Sequence, residues 1–404
     1  MFNKLLKDKS VKNAIYIGTL CSVSYLAVYF ARNMLSAVTP QMIENGYTET
    51  YIGKLSSFFF VFYAIGQLIN GAIGDKIKAK YMLSIGLFMA GVANILFFIL
   101  SKNHLNIAMF FYGFTGFFLA MIYGPMTKTV AENTKPVHAT RCSLGYTFAS
   151  FFASPIAGIF GATLIWQNMF KLGSAILVIM AIICFAFFLI FEKKGIVKYN
   201  QYKTTKEQGG NIKVLIKHKI IKFTFIAILT GVVRTTVVFW LPTYISQYLD
   251  FSPRKSALLF TVATFFISFA TFVAIFIYER LNRNMDITIF IMFLSSALFF
   301  VLVYLIKIPT LNIFLLILAI MASNGAATML WSRYCPSLRD TGMVSSATGF
   351  LDFTSYMAAA ISSTLFANAV SKIGWGNLIL IWCALMVIGI LVSLMGGTFK
   401  RKNK

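Results

Sequence analysis

The chain has 404 residues, of which 58% are hydrophobic and only 12% charged, with a net charge of +24 at pH 7. A soluble domain cannot hide that much apolar surface behind so few polar groups, so a soluble fold is excluded. The positive charge falls between apolar segments, where membrane topology explains it and nucleic-acid binding is not needed.

The apolar residues come in blocks of about 20, the length that crosses ~30 Å of hydrocarbon as a helix. Twelve blocks are predicted, at 14–38, 51–74, 81–100, 106–128, 141–164, 169–191, 221–246, 254–278, 286–306, 310–331, 342–366 and 376–397. The first follows Lys4, Lys7, Lys9 and Lys12 but runs too long for a signal peptide and lacks a small-residue cleavage site; it reads as a retained helix. With both ends inside, the inner segments hold 27 of the 36 Lys and Arg and the outer loops hold seven. That bias predicts cytoplasmic termini, and compact loops point to a bacterial inner membrane. Two arginines, Arg32 and Arg234, are left over, and both lie inside predicted helices.

Several chemistries are not expected. The five cysteines are scattered and odd in number, with neither a disulfide framework nor metal-ligand spacing. His104, His138 and His218 fall in predicted loops, no GxxxxGK[ST] phosphate loop occurs, and no nucleophile–base cluster appears. The expectation is a gradient- or exchange-driven carrier without cofactor, metal or enzyme activity, working as a monomer in the bilayer.

The longest polar stretch, 192–220, is Lys-rich and contains Gly209-Gly210. It divides the chain into an N-terminal six-helix half (1–191), a basic linker with a surface helix near 211–219, and a C-terminal six-helix half (221–404). The halves repeat each other: Arg32 and Pro40 recur 202 residues later as Arg234 and Pro242. Asp75 and Glu279, each followed by a basic residue, differ by 204, as do Gly145-Tyr146 and Gly349-Phe350. Duplicated six-helix halves are the architecture of a rocking transporter with its site near the midplane.

A second motif agrees. GAIGDKIKAK (71–80) resembles the major facilitator superfamily signature G-x-x-x-D-[RK]-x-x-x-[RK]. Gly71 permits close helix packing, and Asp75 stands beside Lys76 and Lys80, where it can pair in one conformation and release in another. The second copy, IFIYERLNR (275–283), keeps Glu279 and Arg280 but has Ile275 in the Gly position, which predicts a weaker latch.

A charge at the centre of a membrane helix costs about 2.5–3.5 kcal/mol on insertion scales, so such residues face the interior or water. Near-equivalent positions in the two halves would put Arg32 and Arg234 on one cavity, where their planar forks suit phosphate or carboxylate. Tyr25, Tyr29, Arg32 and Ser36 share one helical face, with Asn33 beside it. Gln67 is a further candidate contact, and Asn94 is either a contact or interhelical glue.

Three patches carry a closer resemblance. Residues 25–76, VVRTTVVFWLPTYI (232–245) and SSATGFLDFTSY (345–356) resemble helices 1–2, 7 and 11 of the organophosphate:phosphate antiporters, which exchange glycerol-3-phosphate or hexose phosphates for inorganic phosphate. The resemblance implies a phosphate-binding pair, Arg32 and Arg234, with Tyr25, Tyr29 and Tyr356 around them and Trp240 in the helix 7 motif. The sequence departs from the family pattern at Asn33 and Gln67, which replace basic residues, at Phe239, which replaces an acidic one, and at Ser150, which replaces a histidine. Asp352, acidic and well inside a span, stands where the family has a small residue. It is expected to act as counter-ion to an arginine. The alternative is a proton-coupled carrier of a carboxylate, sugar or nucleoside that uses Asp352.

Overall fold

The computed structural model describes residues 9–74, 77–199, 212–338 and 344–395. These are helical with short connections, and no strand occurs among them. The helices are α1 (Lys9–Glu44), α2 (Glu49–Gly74), α3 (Ala79–Leu100), α4 (Leu105–Leu119 and Tyr123–Asn133), α5 (Pro136–Thr163) and α6 (Trp166–Lys193). After a short helix, Ile212–Lys217, come α7 (Ile220–Gln247), α8 (Pro253–Arg280), α9 (Met285–Leu305) and α10 (Pro309–Tyr334). A last helical stretch, Val344–Leu394, bends at Gly374, where φ is 75°, and so forms α11 (344–373) and α12 (375–394).

Among the described residues ten stretches are long and apolar enough to cross a membrane, one of them holding both α11 and α12, and α5 is not one of the ten. Their outward faces carry large apolar side chains: Ile182, Phe272, Phe314 and Leu391 are all more than half exposed. In water such surfaces would aggregate; against lipid they are solvated.

Expectation and structure differ in details that have local causes. The fifth helix begins at Pro136 rather than 141, with proline at a position where its missing N–H is not needed. His138 therefore sits in a helical first turn rather than a loop. The fourth helix breaks at 120–122 ahead of Pro125, which cannot donate to a preceding carbonyl and is tolerated in the first turn of the restarted helix. Lys222, at the very start of the predicted seventh span, lies inside α7 and is buried.

Contacts divide the chain into two compact units, Met1–Val38 with Phe58–Thr205, and Thr39–Ser57 with Lys206–Lys404. The α1–α2 connection thus groups with the C-terminal helices. There Ser57 donates to Ala360 O and shares a hydrogen with Thr364, while a Cβ on Gly53 would run into Ala367.

Within the first unit α3 and α6 are joined by Asn94, whose side-chain amide donates to Phe170 O (3.3 Å) and Ser174 Oγ (3.0 Å). Asn94 is thus interhelical glue. Near the ends of the same two helices Lys80, buried, pairs with Glu192, which also takes Lys78 at 3.1 Å. The second unit has its own buried tie: Lys222 Nζ donates to Asp286 Oδ1 at 3.0 Å and to Ser393 O at 2.6 Å, joining α7, α9 and α12.

Both members of the Lys222–Asp286 pair are shielded, with 4% and 17% side-chain exposure. Removing one partner strands a desolvated charge, a loss of about 3–5 kcal/mol. Asp286→Ala is therefore expected to lower the melting temperature of the purified protein sharply. The double replacement Lys222→Met with Asp286→Leu is expected to recover most of the loss.

Candidate functional site

In the first unit the candidate residues stand on α1 and α2. Arg32 is half-buried on α1, and its guanidinium lies 5.0 Å from the ring centre of Tyr29, 5.3 Å from Phe60 and 5.7 Å from Tyr63. These distances are within the range of cation–π attraction, which stabilises a cation where water is scarce. Phe60, Tyr63 and Gln67 recur at three- and four-residue spacing on α2, so one helical face carries two of the rings and the expected glutamine.

Below Arg32 on α1, the Tyr25 hydroxyl donates to that of Tyr29 at 3.5 Å, and the two rings meet edge to face at 4.9 Å. Tyr25 also stacks on Tyr123 of α4 at 5.5 Å and meets Tyr146 of α5 at 6.0 Å. The break in α4 is what starts a new helical turn at Tyr123. Four tyrosines from three helices thus form one cluster, apolar in its rings and polar at its hydroxyls. Asn33 turns toward α5 and donates to Ser154 Oγ at 2.8 Å. Ser150, in the family's histidine position, is buried and donates to Thr147 O.

In the second unit a separate group of candidate residues stands on α7, α10 and α11. Arg234 lies in a π-helical turn, Val232–Val237, in which the N–H of Val238 reaches back to Val233 O. Six of the seven residues 232–238 are β-branched and crowd one another at α-helical spacing, so the turn widens there. On one side α7 approaches α11 closely: a Cβ on Gly231 would meet the backbone O of Ser355 at 2.8 Å. Thr236 extends this contact, donating to Ala359 O at 3.1 Å and sharing a hydrogen with Ser362. These contacts set the Ser355–Ser362 segment of α11 alongside the arginine turn. Tyr356 is buried and Asp352 half-buried. On the other side Trp331 of α10 stands with its ring centre 5.8 Å from the Arg234 guanidinium.

Trp240 is fully buried on α7, perpendicular to Phe239 at 5.3 Å, in the packed interior of its unit. Of the predicted latch, Gly71 is in the last turn of α2, while Asp75 and Lys76 lie outside the described residues. Lys80 is engaged with Glu192 of α6. In the second copy Glu279 and Arg280 are exposed at the end of α8, and Arg280 rests over the Phe276 ring at 5.2 Å. Among the described residues no group of three or more His, Cys, Asp or Glu side chains could hold a metal ion.

Residues 21–363 match the Major Facilitator Superfamily. The chain belongs to this superfamily. Its fold is the all-α major facilitator fold of twelve membrane helices in two six-helix bundles, and the protein is a multi-pass membrane transporter rather than an enzyme. It is 21% identical to the glycerol-3-phosphate transporter of Bacillus subtilis (strain 168), over 97% of this chain and 94% of the relative. A 76-residue stretch is 33% identical to the membrane sensor protein UhpC of Escherichia coli (strain K12), covering 19% of this chain and 17% of the sensor. A longer stretch, 111 residues, is 26% identical to a probable hexose phosphate transport protein of Chlamydia trachomatis, covering 27% of this chain and 24% of that protein. Among solved structures, a D-xylose-proton symporter superposes with a TM-score of 0.72 at 12% identity, over 94% of this chain and 97% of the symporter. The nucleoside transporter NupG does so with 0.72 at 11% identity, over 96% and 100%.

Phe60, Tyr63, Tyr123, Tyr146 and Trp331 join the site only in three dimensions. The α2 periodicity that links Phe60 and Tyr63 to Gln67 could have pointed to the first two; nothing in the spacing of the others does. For this transporter Tyr63→Phe keeps the ring beside Arg32 and is expected to leave the melting temperature nearly unchanged. Tyr63→Leu removes the ring's contact, about 0.5–2 kcal/mol, and is expected to lower it. Equal effects of the two would show that the hydroxyl, not the ring face, matters.

Proposed function

We propose that this transporter moves a small phosphorylated organic solute by alternating access, with inorganic phosphate as counter-substrate. The observation that carries the reading is a fixed guanidinium inside a membrane helix of each half, Arg32 and Arg234, each held against aromatic rings. Arginine keeps its charge at any working pH and presents paired donors that match a phosphate's oxygens. The near full-length similarity to a glycerol-3-phosphate transporter supports the same solute class. In this reading Tyr25, Tyr29, Asn33, Gln67 and Tyr356 supply hydroxyl and amide contacts to the solute, Trp240 shapes the wall, and Asp352 offsets part of the positive charge. The halves 1–191 and 221–404 move as units on the 192–220 linker, with Gly71, Asp75, Lys76, Lys80, Glu279 and Arg280 at the hinging ends. The protein works as a monomer in a bacterial inner membrane with both termini cytoplasmic, a placement supported by the bias of Lys and Arg toward alternate loops.

The similarity of a short stretch to a membrane sensor favours a second reading, in which the same anion is bound and signalled without being moved. Flux separates the two. Proteoliposomes loaded with phosphate and challenged with labelled phosphate or sugar phosphates are expected to show counterflow. Binding without counterflow would establish the sensor reading, and proton-driven uptake of a neutral solute with no phosphate exchange would overturn both.

Arg32→Lys or Arg234→Lys keeps the charge but loses the fork. The loss of one charge-assisted hydrogen bond, about 1.5–3 kcal/mol, corresponds to phosphate affinity weakened roughly 10- to 150-fold. Wild-type exchange in both variants would assign the arginines to packing. Asp352→Asn is expected to leave the pH profile of exchange unchanged, as a counter-ion requires; a flattened profile would instead make Asp352 the proton carrier.

A further inference from the structure

The second π-helical turn among the described residues, Leu330–Tyr334, ends α10 just ahead of Pro336. Pro336 has no N–H to give Ser332 O, and one residue earlier the N–H of Cys335 reaches five residues back to Leu330 O, closing the wider π ring. The consequence is directional. In an α-helix residues 331 and 334 lie about 60° apart on one face. A π turn advances by fewer degrees per residue and spreads them further.

The side chains use that spread. Tyr334 stacks on Phe223 at the start of α7, with ring centres 3.5 Å apart and planes within 14°, and its hydroxyl donates to His218 O at 3.0 Å. Arg333 points to α8, 5.0 Å from the Tyr278 ring. Trp331, half-buried, is left to reach the Arg234 guanidinium, which itself sits on a π turn. Tyr334 thus anchors the turn to the base of α7 while Trp331 meets the same helix at its charged residue. Such widened turns concentrate at functional sites because they re-aim a side chain without ending the helix.

We propose that Trp331 is a positioning residue for Arg234: its indole face holds the guanidinium plane so that the paired N–H donors are presented to the anion. The assignment rests on the phosphate reading above for the ligand, but the contact itself does not. Cation–π attraction is strongest over Trp, and a ring face engages the cation without taking one of its N–H donors.

Two measurements on the purified full-length transporter test it. The first uses no ligand: melting of wild type, Trp331→Leu, Arg234→Leu and the double variant is expected to be non-additive, because either single change removes the same contact. Additive losses would overturn the proposal whatever the solute. The second is phosphate counterflow. Trp331→Leu is expected to raise the KM for inorganic phosphate about 2- to 30-fold, the range a cation–π contact spans, while the maximal rate falls by less. Trp331→Phe, which keeps a ring face, is expected to recover most of that KM. An unchanged KM in Trp331→Leu, alongside the loss in Arg234→Lys, would also overturn it. Coupled melting together with no phosphate exchange by wild type would confirm the contact and reject the phosphate reading.

Discussion

A guanidinium cannot discharge itself, and a membrane interior is a poor solvent for charge. Much of the architecture around Arg32 and Arg234 answers that constraint. Lysine or histidine in such a place could lose its proton as burial disfavours the charged form; arginine cannot, so its surroundings must adapt instead. Three aromatic faces stand beside Arg32 and an indole beside Arg234. Rings offer negative faces without carrying a formal charge. A ring stabilises the cation without adding a formal negative charge of its own.

The backbone serves the same end. Around Arg32 the α4 break brings Tyr123 to Tyr25, and around Arg234 two widened turns re-aim an arginine and a tryptophan. Each irregularity sits next to proline or in a β-branched run, where α-helical hydrogen bonding is already weakened. Inside hydrocarbon such departures are tolerated only where the freed backbone groups find partners in protein, and the hydroxyls of Thr236 and Ser57, bonded to carbonyls of α11, show how short polar side chains work at that depth.

The ends of the helices are managed differently. There lysines are buried, Lys80 against Glu192 and Lys222 against Asp286, each tying together helices distant in sequence. The polarity is reversed between the halves: the lysine of the first unit is on α3 and its acid on α6, whereas in the second the acid begins α9 and the lysine begins α7. The two ion pairs thus join non-equivalent helices, α3 to α6 and α9 to α7, so the repeat visible in the Arg and Pro positions does not extend to them.

Composition and block length were enough to determine the membrane class, because hydrocarbon thickness dictates how long an apolar run must be. The 202-residue register exposed Arg32 and Arg234 as a related pair, because a charge inside a span is too costly to be incidental. Helical spacing placed Tyr25, Tyr29 and Arg32 on one face. What surrounds those arginines was only partly legible: Phe60 and Tyr63 share the Gln67 face of α2, but Trp331 lies on α10, and periodicity within one segment carries no information about its neighbours. Nor could spacing show that Lys222 belongs to a buried pair, or that two turns widen to π, since both follow from contacts that exist only once helices pack. The sequence determined which charges must be housed; the tertiary structure decided which side chains house them, because only packing brings rings from separate helices to one cation.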